Sequence, residues 1–112
     1  MRTASILVTA LIAIGACAIP AVAATTKSVK VGDDYFIKSS GTPKLTVKKG
    51  VTVKWRWTGT SPHDVSVTKG PKKFKSKVMT KGSYSVKVSK AGSYSIICTI
   101  HQPDMKMTLV VK

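Results

Sequence analysis

A short stretch near the C-terminus concentrates side chains that bind soft metals: Cys98-Thr-Ile-His101-Gln-Pro-Asp-Met105-Lys-Met107. The other histidine of the chain, His63, lies 35 positions before Cys98, in Thr60-Ser61-Pro62-His63-Asp64-Val65. A thiolate, two neutral imidazoles and a thioether make a mixed soft and borderline donor set. Two imidazoles and a thiolate with a weak axial thioether are the ligands of electron-transfer copper sites. Zinc more often takes further cysteine, histidine or carboxylate ligands and gains little from a thioether. Such a set suits both copper oxidation states and leaves no coordination position vacant. The chemistry it points to is one-electron transfer, not substrate conversion. Met105 and Met107 both compete for the axial role, and spacing alone does not choose between them.

Composition narrows the alternatives. The chain has 112 residues, 19 of them Lys or Arg and 4 acidic, for a net charge of +15 at pH 7. All the acidic residues are aspartates: Asp33, Asp34, Asp64 and Asp104. This length allows one small domain, and a hydrophobic content of 43% argues against wholesale disorder. No nucleophile–base pair, catalytic carboxylate pair or phosphate-cradling loop stands out, so an enzyme reading has no support.

The N-terminus reads as an address. Met1-Arg2 is followed by an uncharged apolar run from Thr3 to Ile19, then Pro20 and Ala21-Val22-Ala23, a small-residue cleavage signature. The run is too short to span a membrane comfortably. A secretory signal peptide over residues 1–23 leaves a domain over 24–112, exported to the periplasm or secreted. Ile14-Gly15-Ala16-Cys17 loosely resembles a lipoprotein box, but the apolar stretch continues past Cys17 to the conventional cleavage site, which is the preferred reading. With the signal removed Cys98 is the only thiol. In an oxidising compartment it must be buried, paired with another chain or held by a metal.

The elements that position these residues read as strands. Val51, Val53, Trp55 and Trp57 alternate with Thr52, Lys54, Arg56 and Thr58, the period of a half-buried strand. Ser83–Ser89 repeats the pattern, with Tyr84, Val86 and Val88 inward. Further candidates are Ser28–Val31, Tyr35–Lys38, Lys44–Val47, Asp64–Thr68, Tyr94–Thr99 and Met107–Val111. Gly-, Pro-, Asp- and Ser-rich turns separate them, Gly32-Asp33-Asp34 among these. About eight short strands so punctuated predict an all-β sandwich or small barrel. Trp55, Trp57 and Tyr94 read as core, and Met79 as apolar filler.

The chain resembles the cupredoxins of the plastocyanin/azurin group. Leu45-Thr-Val-Lys-Lys-Gly50-Val-Thr-Val-Lys-Trp55, Ser61-Pro62-His63-Asp64-Val65, Gly92-Ser-Tyr94 and Cys98-Thr-Ile-His101 carry the likeness. The resemblance implies a Greek-key β-sandwich with one type 1 copper near one end and His63, Cys98 and His101 as equatorial ligands. Met105-Lys-Met-Thr-Leu-Val-Val111 is similar to the azurin-type Met-Lys-Gly-Thr-Leu run, which favours Met105 as axial ligand and leaves Met107 to the core. Two departures stand out. Asp64 occupies the place of a common asparagine, and Ile100 that of a frequent proline.

Together these readings give an exported blue copper protein shuttling one electron, monomeric and without nucleic-acid partners. Copper storage or delivery through the same ligands is the alternative, and a metal-free polycationic surface binder a third reading. His101 would face a transient redox partner through Pro62, Ile100 and Pro103. The basic surface, densest from Lys69 to Lys77, would steer toward an acidic docking surface on that partner or toward an anionic envelope.

Overall fold

Apolar residues recur at every second position along much of the chain, and most of these runs become strands with one face buried. The computed structural model describes residues 25–112; the expected signal peptide over 1–23, with Cys17, lies outside the described residues. In chain order the strands are β1 (Thr26–Gly32), β2 (Tyr35–Phe36), β3 (Lys44–Val47), β4 (Thr52–Trp57), β5 (Ser66–Lys69), β6 (Gly82–Lys87), β7 (Gly92–Ile97) and β8 (Lys106–Val111).

Two four-stranded sheets form, with strand orders β2-β1-β4-β6 and β3-β8-β7-β5. The β1–β4 and β3–β8 pairs are parallel and the others antiparallel. The core lies between the sheets: Val29, Val31, Val53 and Trp55 meet Tyr94, Ile96, Met107 and Leu109, all essentially without exposure. The opposite strand positions carry Lys30, Lys54, Arg56 and Lys87 on one sheet and Lys44 and Lys106 on the other. The expected all-β sandwich is what forms.

Strand ends differ from expectation for local reasons. β2 stops at Phe36 because Ile37 takes a left-handed backbone (φ 65°), which an extended strand cannot continue. β5 starts at Ser66 because the Val65 N–H is committed to the Ser76 hydroxyl (2.9 Å). β7 ends at Ile97 because the Cys98 and Thr99 N–H groups turn away to Met105 and Asp64.

Residues after β5 fold back along it. Val67 N–H donates to Phe74 (3.1 Å) and Ser76 N–H to Val65 (2.8 Å). This covers an exposed strand edge with a lysine-rich segment that resists pairing with another chain. It also delivers Phe74 to the aromatic cluster, with ring centroids 5.8 Å from Trp55 and 6.0 Å from Tyr94. Tyr94 buries its ring and donates its hydroxyl to the Lys90 carbonyl (2.7 Å), and both tryptophans and Tyr94 are core as expected.

Candidate metal centre

His63 precedes β5 and is held by its backbone. Its N–H and carbonyl exchange two hydrogen bonds with Met79, each 2.9 Å. Its carbonyl also accepts the Trp57 indole N–H at 3.1 Å. Met79 and Trp57, read from sequence as filler and core, therefore position a candidate ligand as well. The signal for this was out of reach, because backbone pairing does not depend on side-chain type.

Cys98 and His101 sit on the loop between β7 and β8, which its own backbone closes. Cys98 N–H donates to Met105 (3.0 Å), Met105 N–H to His101 (3.2 Å) and His101 N–H to Cys98 (3.3 Å). Met105 is thus bonded to both other candidates of the loop. Met107 lies inside β8 opposite Ile96, with its side chain in the core.

Asp64 joins the two ligand-bearing segments. Its fully buried carboxylate accepts the Thr99 N–H and the Thr99 hydroxyl, both at 2.7 Å. That clamp ties the residue after His63 to the residue after Cys98. Asp64 thus braces the two segments with both carboxylate oxygens engaged.

The three donors converge. Sγ of Cys98 lies 3.9 Å from Nδ1 of His63 and 3.5 Å from Nδ1 of His101, and the two Nδ1 atoms are 3.1 Å apart. Cys98 and His63 are fully buried, whereas the His101 side chain is 28% exposed. Each ring turns its far nitrogen to a carboxylate: Nε2 of His63 lies 3.0 Å from Asp33 and Nε2 of His101 lies 3.3 Å from Asp34. The Asp33 contact is a hydrogen bond and a carboxylate only accepts, so the His63 N–H belongs on Nε2 and its Nδ1 keeps a lone pair, while Asp34 stands at ion-pair distance from His101. Two ring nitrogens and a sulfur face one small volume, a donor set that fits a cation.

Asp33 and Asp34 are the residues sequence reasoning missed, having been read as turn formers. The available signal was that half of the chain's 4 acidic residues stand in tandem in a strongly basic chain. The Asp33 carboxylate also accepts the N–H groups of Thr60 and Ser61. The His63 ring first, then these N–H groups, hold its carboxyl well below the usual carboxylate range. All the acidic residues gather at this end: Asp33 and Asp34 on the rings, Asp64 in the brace and Asp104 in the 98–105 loop.

A family profile described as copper binding proteins, plastocyanin/azurin family, matches residues 28–112. The chain belongs to that family. Amicyanin of Paracoccus versutus is 37% identical over 75 residues, covering 63% of this chain and 56% of that protein. Amicyanin-alpha of Methylorubrum extorquens is likewise 37% identical over 75 residues, covering 63% of this chain and 62% of that protein. The match therefore spans less than two thirds of either relative's length. A solved Cu(I) methionine-to-glutamine mutant of amicyanin superposes with a TM-score of 0.66 at 31% identity, covering 78% of this chain and 82% of that one. This cupredoxin is thus a copper protein, and its Cys–His–His cluster fits one type 1 copper.

Proposed function

We propose that this cupredoxin is an exported, monomeric type 1 copper protein carrying one electron at a time between protein partners. The supporting observation is the convergence of one buried sulfur and two ring nitrogens, all within 4.8 Å of one another. In this reading a signal peptide over 1–23 directs residues 24–112 to the periplasm or medium. His63, Cys98 and His101 would hold the copper, with Met105 as the further, thioether donor. Bound copper supplies a one-electron couple.

The chain's own residues do the rest. The thiolate of Cys98 is the strongest donor and sits in a dry interior, which limits its oxidation. His63 anchors the metal from the other segment through its backbone bonds. Ordered loops on a rigid sandwich keep the donors in place as the metal's charge changes. His101 is the equatorial donor that reaches solvent, so its ring edge is the exit for the electron. Around it Pro62, Ile100 and Pro103 are exposed, Ile100 by 47%. A small apolar patch of this kind suits brief encounters.

Partner choice follows from charge. The net positive body draws an acidic partner from a distance, so association should slow as salt is raised. The same charge gives the protein affinity for an anionic envelope.

Copper(II) added to the purified protein should bind one to one, giving an intense visible thiolate-to-copper band and a reversible one-electron couple. Folded protein that takes up no copper, or gives no such band, would sink the reading. The axial assignment has its own test. Met105→Leu should shift the reduction potential and Met107→Leu should not, while each near-isosteric change costs less than ~1.5 kcal/mol by denaturant unfolding.

A further inference from the structure

We propose that Asp33 and Asp34, neighbours in the β1–β2 turn, are a two-carboxylate clasp. It positions both ring ligands and biases the bound copper toward its oxidised state. The inference rests on the copper-carrier reading above for its redox part; its structural part stands on the metal-free protein.

The geometry is specific to this turn. Asp34 adopts a left-handed backbone (φ 69°), a conformation aspartate tolerates, while Asp33 does not. Consecutive side chains thereby reach different rings: Oδ1 of Asp33 lies 3.0 Å from Nε2 of His63, and Oδ1 of Asp34 lies 3.3 Å from Nε2 of His101. One short segment thus contacts two ligands that come from opposite halves of the domain.

The Asp33 half is built in. Its carboxylate accepts Thr60 N–H (3.0 Å), Ser61 N–H (3.0 Å) and the Thr60 hydroxyl (3.3 Å). Gly59 makes room for it: a Cβ there would collide with the Asp33 carboxylate and lie 2.9 Å from its backbone nitrogen. The turn is stapled to the loop that leads into His63. The Asp34 half is a single contact on the ring that reaches solvent, with the Asp34 side chain 70% exposed.

Two effects follow. A carboxylate on the far nitrogen keeps the N–H there and the lone pair on Nδ1, and it restrains ring rotation. That restraint matters most for His101, whose ring is partly exposed. Each carboxylate also places negative charge on the far side of a ring whose other nitrogen would hold the copper, which would favour the higher metal charge.

Charge-removing, shape-keeping substitutions separate these effects. Asp33→Asn or Asp34→Asn should each shift the Cu(II)/Cu(I) ratio at fixed potential about tenfold toward Cu(I), a rise of ~59 mV for a one-electron couple. Asp104→Asn, an acidic residue of the same end without a ring contact, should shift the ratio less than about twofold, as expected for a screened surface charge. In the metal-free protein, nitrogen NMR of the rings should find the N–H on Nε2 of both histidines, with Asp34→Ala loosening that preference at His101 alone. Gly59→Ala should disturb the His63 ring through Asp33 without altering any side chain of the cluster.

Equal shifts from Asp34→Asn and Asp104→Asn, or none from Asp33→Asn and Asp34→Asn, would overturn the redox role. Wild-type rings carrying their N–H on Nδ1 would overturn the clasp itself. A wild-type protein that binds no copper would instead remove the carrier reading, and the ring measurement would still decide the clasp.

Discussion

Replacing Cys98 with serine should abolish the visible thiolate-to-copper band and weaken copper binding by more than ~100-fold. Losing a partner of a metal ligand already reduces affinity roughly 10- to 100-fold, and Cys98 is itself a donor in the proposed site. Its sulfur is fully buried and lies 3.5–3.9 Å from both Nδ1 atoms, so no other soft side chain can take its place without moving the loop. A serine oxygen is shorter, harder and protonated at neutral pH. Metal-free Cys98→Ser should still fold, since the buried hydroxyl lies beside ring nitrogens that can accept its hydrogen. Copper titration followed by absorption, with a circular-dichroism melt as the folding control, makes the comparison. A persisting band in folded Cys98→Ser would mean that the sulfur is not the donor.

Asp64→Ala should be the most disruptive single change outside the donors. It strips partners from the Thr99 N–H and hydroxyl at once, each held at 2.7 Å. Charge-assisted bonds and the unmet donors left behind put the loss at roughly 2–3 kcal/mol. Small domains have only about 5–15 kcal/mol in total. The change also unties the segment carrying His63 from the one carrying Cys98, so copper affinity should fall by about 10- to 100-fold. Asp64→Asn is the informative companion. Its amide oxygen can still accept the Thr99 N–H, and its NH₂ can donate to the hydroxyl oxygen. Most of the stability should return. Urea unfolding of the metal-free variants and copper competition assays distinguish the two; equal stability of Asp64→Ala and wild type would show that the brace is dispensable.

The sandwich was legible because each strand must bury one face, and a period of two is written directly into Thr52–Trp57 and Lys106–Val111. Strand ends were harder. They are decided by single commitments such as the Val65 N–H to Ser76 or the left-handed Ile37, which no local pattern announces. The candidate site was legible where chemistry is scarce: one cysteine among the described residues and two histidines leave few combinations, and a motif shared with known cupredoxins groups them. Asp33 and Asp34 stayed hidden for the opposite reason. Aspartate in a tight turn is so well explained by backbone geometry that its carboxylate attracts no second question. The partner of Asp33, His63, lies 30 positions away. Met105 and Met107 differ in neither type nor burial; the azurin-like run favours Met105, and its backbone bonds to Cys98 and His101 place it in the ligand loop while Met107 lies inside β8.

The sorting of charge along the domain has a mechanical outcome. With every aspartate gathered where the metal would sit and lysines spread over the outer sheet faces, the molecule has a permanent electric moment, and an external field exerts a torque on it. Close to a negatively charged wall it would turn its lysine-covered flanks inward and leave the His101 edge pointing at the open fluid.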